Sequence, residues 1–410
     1  MTSGGRVVGI TIAGRETVDP RGWERTWGVA AGLAGPGDGV VGLDGEQPWT
    51  ADFELIGPAG DAGRVAVLVD VENRGGRSTH GMIGPELAAG RLAYARVQWQ
   101  TGHAARVPEH AQGVGLVILR EFGGWLRERY RVLVLAGASQ SAWCVNTFVG
   151  EGFNEDPGTG TGVYDGAFAY LSGGNWLAVN RWGDDGAPQA PYARPTGVPV
   201  PAAELLTRPG SDPFLVEISS YTDYYRLRAS RSADAPLPAR CRHYDFPSPH
   251  APGSIVATDA VFGRLGCNGG REVPMNPIGF FTLGPAPPTS AHFNGLPGVE
   301  LRVPVVDGDG MAVGGVRFPA AELPLGRPEP VALSPCGTRS IDDVCGNFGG
   351  WQPFSADELR ARYGTPDEYA SRYAQAYDAL AANGFALASD GERAVADARR
   401  GFAAVVSAPR

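Results

Sequence analysis

Three residue types that together perform acyl transfer occur along the chain in the order Ser139, Asp223 and His250. A serine hydroxyl is a weak nucleophile, so it needs a base to take its proton and an acid to orient that base. Ser139 is the central residue of the segment 137–141 (GASQS), which has the spacing of a nucleophile elbow with Ser141 where a second glycine is usual. This set of residues predicts nucleophilic chemistry at a carbonyl carbon.

The residues around Ser139 have the pattern of a strand, a sharp turn and a helix. Residues 132–135 form a β-favouring apolar run, and a helix-compatible segment starts after Ser141. Such a turn lifts the serine out of the sheet, and the backbone N–H of Gln140, at the start of the helix, would point at the developing oxyanion. The alternative is an ordinary strand–helix crossover in which Ser139 only caps the helix.

A second oxyanion donor is expected after the strand predicted at residues 64–71 (RVAVLVDV). The residues that follow, 72–77 (ENRGGR), contain two glycines, which allow backbone N–H groups to turn inward without interference from a Cβ. Arg74 and Gly75 are therefore the candidate donors of this loop. The alternative is a Gly-rich turn with no role in chemistry.

The acid and the base each follow a predicted strand. The strand at residues 213–220 ends just before Asp223, and the strand at residues 242–246 is followed by a turn-forming segment that reaches His250. Asp223 would hold the imidazole in the required tautomer and stabilise the imidazolium. Glu217 is the rival acid, although its place in the middle of a strand favours a side chain that points away or is paired.

The remaining elements are predicted from hydrophobic periodicity. Apolar residues at helical spacing predict a helix at residues 111–130, and the Gly-rich residues 27–47 favour a loop or an irregular hairpin. In the helical C-terminal part, tyrosines 369, 373 and 377 predict a core-facing seam. Further strands are predicted at residues 6–12, 51–56, 92–99 and 164–171.

We expect a single domain over residues 1–410, with two additions to its core. Residues 173–212 are too long for a simple connection and predict a cap over the pocket, and residues 251–410 predict a loop-rich and helical C-terminal extension. Trp176, Trp182 and Tyr221 are candidates to line the substrate pocket. The alternative for the two tryptophans is that they pack the insertion onto the sheet.

The charge, the apolar stretches and the cysteines of the chain argue against several classes of protein. The net charge of −9 gives no support to binding of nucleic acid or an anionic membrane. No signal peptide and no apolar stretch of membrane-spanning length is recognisable, and the five cysteines lack close pairing. We therefore expect a cytoplasmic protein that acts on a small molecule without a metal or organic cofactor. Cys336 and Cys345 would be able to pair only in an exported protein.

The segment AGASQSAWCVNTFVGEGFNED, which contains Ser139, resembles the elbow of a bacterial family of α/β-hydrolase domain proteins. The segments VENRGGR, VYDGAF, PFLVEISSYTDYY, RHYDF and RYGTPDEY resemble the same family. The resemblance implies the α/β-hydrolase fold, with a mostly parallel central sheet flanked by helices. It also implies that Ser139 is the nucleophile, His250 the base, and the acid near Asp223. The chain departs from the family pattern at Trp143, where Arg is usual, and at Tyr221, where Glu is frequent.

Together these features predict a serine hydrolase that cleaves a carboxylic ester or a lactone of a small molecule through an acyl-enzyme. Two alternatives stay open. The same three residues could transfer the acyl group to an alcohol or amine, or close a lactone, in a biosynthetic pathway. The fold could also serve as a non-catalytic ligand-binding protein. The sequence leaves the oligomeric state open.

Overall fold

The computed structural model describes residues 7–60, 65–73, 75–100, 106–107, 111–177, 199–226, 229–233, 235–246, 283–285, 302–329 and 350–407. The chain divides into two compact units. One contains residues 1–218 and 231–243, and the other contains residues 219–230 and 244–410. The single domain that the sequence predicts over residues 1–410 stays a prediction.

A nine-stranded sheet is the main feature of the fold. Its strand order is β1-β2-β3-β5-β4-β6-β7-β8-β9. The pairs β4–β5, β4–β6, β6–β7 and β7–β8 are parallel, whereas β1–β2, β2–β3 and β3–β5 are antiparallel. The strands are β1 Val7–Asp19, β2 Trp23–Ala34, β3 Gln47–Pro58, β4 Ala66–Val71, β5 Leu92–Val97, β6 Leu133–Ala138, β7 Gly166–Tyr170, β8 Phe214–Ser220 and β9 Cys241–Phe246.

Strand β2 decides between two alternatives. Residues 27–47 were expected to be a loop or an irregular hairpin, and most of the first half of this segment lies in a twelve-residue strand with alternating burial that pairs with β3 as an antiparallel hairpin. Its glycines permit close packing rather than a turn. A Cβ on Gly28 would lie 2.0 Å from the Thr11 carbonyl oxygen, and one on Gly32 would lie 2.3 Å from the Trp49 ring. The high glycine content therefore reflects contact with β1 and an aromatic ring.

Helices cover the sheet and complete the core of the first unit. The helix predicted at residues 111–130 is α2, with shorter bounds, and it packs against β1, β2, β3, β5 and β6. Helix α3 packs against β4, β6 and β7. Among the described residues, no helix is long and apolar enough to cross a membrane. The helices up to residue 233 are α1 Gly84–Ala88, α2 Val114–Arg127, α3 Gln140–Gly150, α4 Ala202–Leu205, α5 Tyr221–Arg226 and α6 Ser230–Ala233.

The second unit combines short antiparallel strand pairs with a helical cluster. Strand β10 pairs with β11, and β12 pairs with β13. Tyr369, Tyr373 and Tyr377 are buried in the same cluster as Phe402, which confirms the predicted seam. The elements are β10 Leu283–Pro285, β11 Arg302–Pro304, β12 Gly326–Glu329, β13 Gly350–Pro353, α7 Pro319–Glu322, α8 Ala356–Tyr363, α9 Pro366–Ala382 and α10 Gly391–Ser407.

Candidate active site

Ser139 lies between the last residue of β6 and the first residue of α3, in a backbone conformation with φ 56° and ψ −123°. A positive φ is costly for a residue with a Cβ. Among the described residues, only Ser139 and Leu171 combine a side chain with a positive φ. The Ser139 amide donates to the Tyr170 carbonyl at the end of β7, 2.8 Å away. The surrounding strands therefore hold the Ser139 backbone in a strained turn. Strained backbone of this kind is concentrated at functional sites of proteins.

Gly137 explains how the strand and the helix come so close. A Cβ at this position would lie 2.5 Å from the backbone carbonyl carbon and oxygen of Ser141 and 2.8 Å from the Ala142 nitrogen. Because these are backbone atoms, no side-chain movement would relieve the clash. The fifth position of the elbow is occupied by Ser141, which is buried.

The first oxyanion donor that the sequence predicts is available in the structure. The amides of Ala142 and Trp143 donate to the Ser139 carbonyl at 2.9 and 3.2 Å. The Gln140 amide precedes these bonds, so it is one of the helix amides that have no partner within the helix. It is directed along the axis at the positive end of α3, where a developing negative charge is stabilised.

The loop after β4 forms a tight turn next to the elbow. Asn73 and Gly76 exchange two backbone hydrogen bonds, of 2.8 and 3.0 Å, and so close the turn. Gly75 is in the left-handed region, with φ 77°. The Asn73 side-chain amide donates to the Ala138 carbonyl, 3.4 Å away, which places this turn beside the residue that precedes Ser139. Gly75 is thus the described candidate for the second oxyanion donor, and Arg74 lies outside the described residues.

Asp70, on β4, fixes the residues that follow this loop through hydrogen bonds. This fully buried carboxylate accepts hydrogen bonds from the Ser78 amide at 2.9 Å, the Thr79 amide at 3.2 Å and the Tyr94 hydroxyl at 2.9 Å. Burial raises the pKa of Asp70, and the bonds from Ser78 and Tyr94 oppose that rise. Sequence reasoning missed this role, because an acid inside an apolar strand gives no local signal of its partners.

Glu54 ties the same loop to three strands. Its buried carboxylate on β3 binds Arg25 of β2, Arg96 of β5 and Arg77 of the loop, at 2.7 Å for Arg96 and 2.6 Å for Arg77. Burial alone would raise the pKa of Glu54, but the hydrogen bonds from the three arginines lower it to about 2. Arg96 also pairs with the buried Glu72, next to the turn. The loop after β4 is therefore anchored through charge as well as through Asp70.

The candidate acid lies in the second unit. Asp223 is fully buried in the first turn of α5, directly after β8, and its Oδ2 accepts the Ser220 amide at 2.6 Å. The rival acid, Glu217, is in the middle of β8, buried, with its Oε2 3.8 Å from Nδ1 of His243. The two atoms are too far apart for a hydrogen bond, so the pairing of Glu217 within the fold stays a prediction.

The other residues that the sequence predicts for the site are either outside the described part of the chain or buried. His250 and Trp182 lie outside the described residues, as do Cys336 and Cys345. Trp176 is buried in the core, and a Cβ on Gly150 of α3 would lie 2.1 Å from its ring, so this tryptophan has the packing role left open above. Tyr221 is buried at the start of α5. In the described part of the chain, no group of three or more His, Cys, Asp or Glu residues is arranged to hold a metal.

The predicted cap is described only at its two ends, residues 173–177 and 199–212. The first end is fixed to α3. The Asn146 side chain donates to the Asn175 carbonyl at 3.0 Å, and the Thr147 hydroxyl lies 2.9 Å from the Leu177 carbonyl. The described ends therefore pack on the elbow helix, and a cap over the pocket stays a prediction.

Comparison with known protein families gives a match over most of the chain. A family described as "Alpha/beta hydrolase domain" matches residues 86–264 and 280–396. No curated protein sequence matches significantly. The family match confirms the fold class that the sequence predicts.

Among solved structures, similarity is limited to part of the chain. Methylesterase BT1017 is 13% identical, with 58% of this chain and 52% of that chain covered and a TM-score of 0.32. Brefeldin A esterase, a bacterial homologue of human hormone sensitive lipase, is 13% identical over 51% and 63%, with a TM-score of 0.30. A thermostable esterase from Pseudomonas putida is 12% identical over 50% and 66%, with a TM-score of 0.29. The chain thus spans less than two thirds of the length of each of these three structures.

Proposed function

The chain belongs to the alpha/beta hydrolase domain family, and from this we propose that it is a serine hydrolase that cleaves a carboxylic ester or lactone of a small molecule. The observation that carries the proposal is the strained backbone of Ser139 at the junction of β6 and α3. A serine that merely capped the helix would have an ordinary extended backbone and a side-chain bond to the helix, and Ser139 has neither. The strain is explained if the turn presents a nucleophile.

In the proposed reaction the Ser139 hydroxyl attacks the ester carbonyl carbon while His250 takes its proton. The negative charge that develops on the carbonyl oxygen is stabilised by the amides of Gln140 and Gly75, with Arg74 as the neighbouring candidate. His250 then gives its proton to the leaving alcohol, and an acyl-enzyme remains on Ser139. Water, deprotonated by His250, releases the acid and restores the serine. Asp223 orients the imidazole throughout.

The first test is labelling with a fluorophosphonate, read by intact mass. The wild-type protein should gain one adduct, Ser139→Ala should gain none, and Ser141→Ala should label like the wild type. Ser141 is a suitable control because it is a buried serine two residues away, in the first turn of α3. A protein that folds but does not label, or an adduct that persists in Ser139→Ala, would contradict the assignment of the nucleophile.

A screen of esters and lactones on labelling-competent protein then tests the reaction. We expect release of the free acid, and loss of turnover in Ser139→Ala. Transfer of the acyl group to an added alcohol, with no free acid formed, would contradict hydrolysis while leaving Ser139 as the nucleophile.

The acid is tested by two matched substitutions on neighbouring elements. Asp223→Asn should lower kcat by roughly 10³-fold or more, since the imidazole loses its orienting partner. Glu217→Gln removes a buried charge of the same kind from β8 and should leave kcat within a few fold. The reverse pattern would move the role of acid to Glu217.

A further inference from the structure

We propose that Tyr221 is the positioning residue for Asp223, because it fixes the start of α5 to a rigid turn at residues 307–312. The inference rests on the proposed function, in which Asp223 is the acid. It gives part of the C-terminal extension, which has no assigned role in the reaction, a function in holding the active site.

The Tyr221 side chain is 1% exposed, and its hydroxyl donates to the Gly310 carbonyl at 3.2 Å. Burial raises the pKa of Tyr221, so the phenol keeps its proton and remains a donor. Helix α5 also packs against β11, the strand that precedes the turn. This buried hydrogen bond and the packing on β11 therefore fix the first residue of α5.

The turn itself is a rigid support. Oδ1 of Asp307 accepts the amides of Asp309 and Met311 at 2.9 and 3.0 Å, and the Gly310 amide donates to the Asp307 carbonyl at 3.0 Å. Arg317 binds the other carboxylate oxygen of Asp307 at 2.8 Å. Since its neighbours are fixed by side-chain and backbone bonds, the Gly310 carbonyl is a well-defined anchor.

The turn is connected in its own unit to the C-terminal helices. Arg362, on α8, binds both carboxylate oxygens of Asp309 at 2.6 and 2.8 Å. The Arg362 guanidinium also lies 4.2 Å from the centre of the Phe354 ring. A bidentate arginine stacked on an aromatic ring is a strong constraint on position. The path from α8 to Asp309 and Gly310 therefore ends at Tyr221.

Asp223 depends on this anchor because α5 is short. A six-residue helix has few internal hydrogen bonds of its own, so its direction is set by its contacts. Tyr221 is its first residue, and Asp223 follows two positions later in the same turn. A displacement of about 1 Å in a catalytic group can cost roughly 10²-fold in rate. Loss of the Tyr221 hydroxyl should therefore reach the reaction through Asp223.

The test compares Tyr221→Phe with Tyr369→Phe. Tyr369 is also buried in the second unit, and its hydroxyl donates to the Leu323 carbonyl at 3.0 Å, so both substitutions remove the same kind of bond. We expect a similar drop in Tm for both. Only Tyr221→Phe should lower kcat, about tenfold with KM within twofold, consistent with a shift well below 1 Å. It should also move the acid limb of the kcat/KM profile to lower pH, because a less well held acid stabilises the imidazolium less.

A double-mutant cycle shows whether the effect passes through Asp223. If it does, Tyr221→Phe will lower kcat in the wild type but cause no further loss in an Asp223→Asn background. Equal kcat for Tyr221→Phe and the wild type, or the same tenfold loss in both backgrounds, would overturn the inference. Failure of the proposed function has a different signature, since Ser139→Ala would then retain turnover.

Discussion

Ser139 carries a stability cost that its proposed role as the nucleophile would explain. Replacement by Ala removes the hydroxyl but keeps a Cβ at φ 56°, whereas replacement by Gly also removes the strain. The relief of about 1–2 kcal/mol equals or exceeds the roughly 0.5–1 kcal/mol by which glycine usually destabilises. We therefore expect Ser139→Gly to be more stable than Ser139→Ala by up to about 1.5 kcal/mol, measured by urea unfolding.

Ala142→Gly provides the control for this prediction. Ala142 is buried inside α3, where glycine should cost about 1 kcal/mol. The sign of the glycine effect should thus reverse over three residues of the chain. If Ser139→Gly were the less stable of the two Ser139 variants, the turn would not be strained.

Single residues can be proposed from the sequence alone where their signal is local. Ser139, Gln140 and Gly75 are all recognisable from a pattern of a few residues, and the structure places the loop of Gly75 beside the residue before Ser139. Tyr221 shows the opposite case. Its partner Gly310 is 89 residues away in the chain, so no spacing rule connects them.

At the scale of elements, β2 shows why a Gly-rich segment need not be a loop. Glycine has two structural uses, a left-handed backbone and close approach of another chain. Gly28 and Gly32 are of the second kind, and only the position of their neighbours reveals it. The buried parallel strands β4 and β6 were predicted correctly, because continuous apolar runs are typical of strands covered on both faces.

Helix α2 contains a crowded glycine and an open one at adjacent positions. A Cβ on Gly123 would lie 2.6 Å from the ring carbon Cζ and the hydroxyl of Tyr164, which is buried and donates to the Leu119 carbonyl. A Cβ on Gly124 would meet nothing within 4 Å. We expect Gly123→Ala to destabilise the protein by about 1–3 kcal/mol through overpacking. Gly124→Ala should stabilise it by about 0.5–1 kcal/mol through helix propensity.

Thermal and urea unfolding of the two variants would check this pair. Each variant is the control for the other, since the substitution and the helix are the same. Equal effects would mean that Tyr164 can move away at no cost, and that α2 is less tightly packed on its neighbours than the distances indicate.

At the scale of the whole molecule, the order of strands could not be obtained from local patterns. Strand β5 lies between β3 and β4, so the order in the sheet departs from the order in the chain. The family resemblance supplied the fold class, and the match over residues 86–264 and 280–396 confirms it. The charges that fix the sheet were not foreseen, because Glu54, Arg25 and Arg96 lie on three different strands.

The free energy of unfolding of the protein should depend on the charge of Glu54 at acidic pH. Its pKa falls from an ordinary value of 4.5 to about 2 in the folded state. Its contribution is therefore fully present above pH 4.5 and is lost as the pH falls towards 2. The shift corresponds to a contribution on the order of 3 kcal/mol at pH 7, of which roughly half is lost by pH 3.

Glu54→Gln, measured by urea unfolding at pH 7 and pH 3, should therefore cost clearly more at pH 7. Glu86→Gln is the matched control, because Glu86 also pairs with an arginine, Arg91, but is exposed at the surface. An exposed pair contributes about 0–1 kcal/mol, so this variant should differ little from the wild type at either pH. A Glu54→Gln cost that is the same at both pH values would mean that the three arginines do not hold this carboxylate in its charged form.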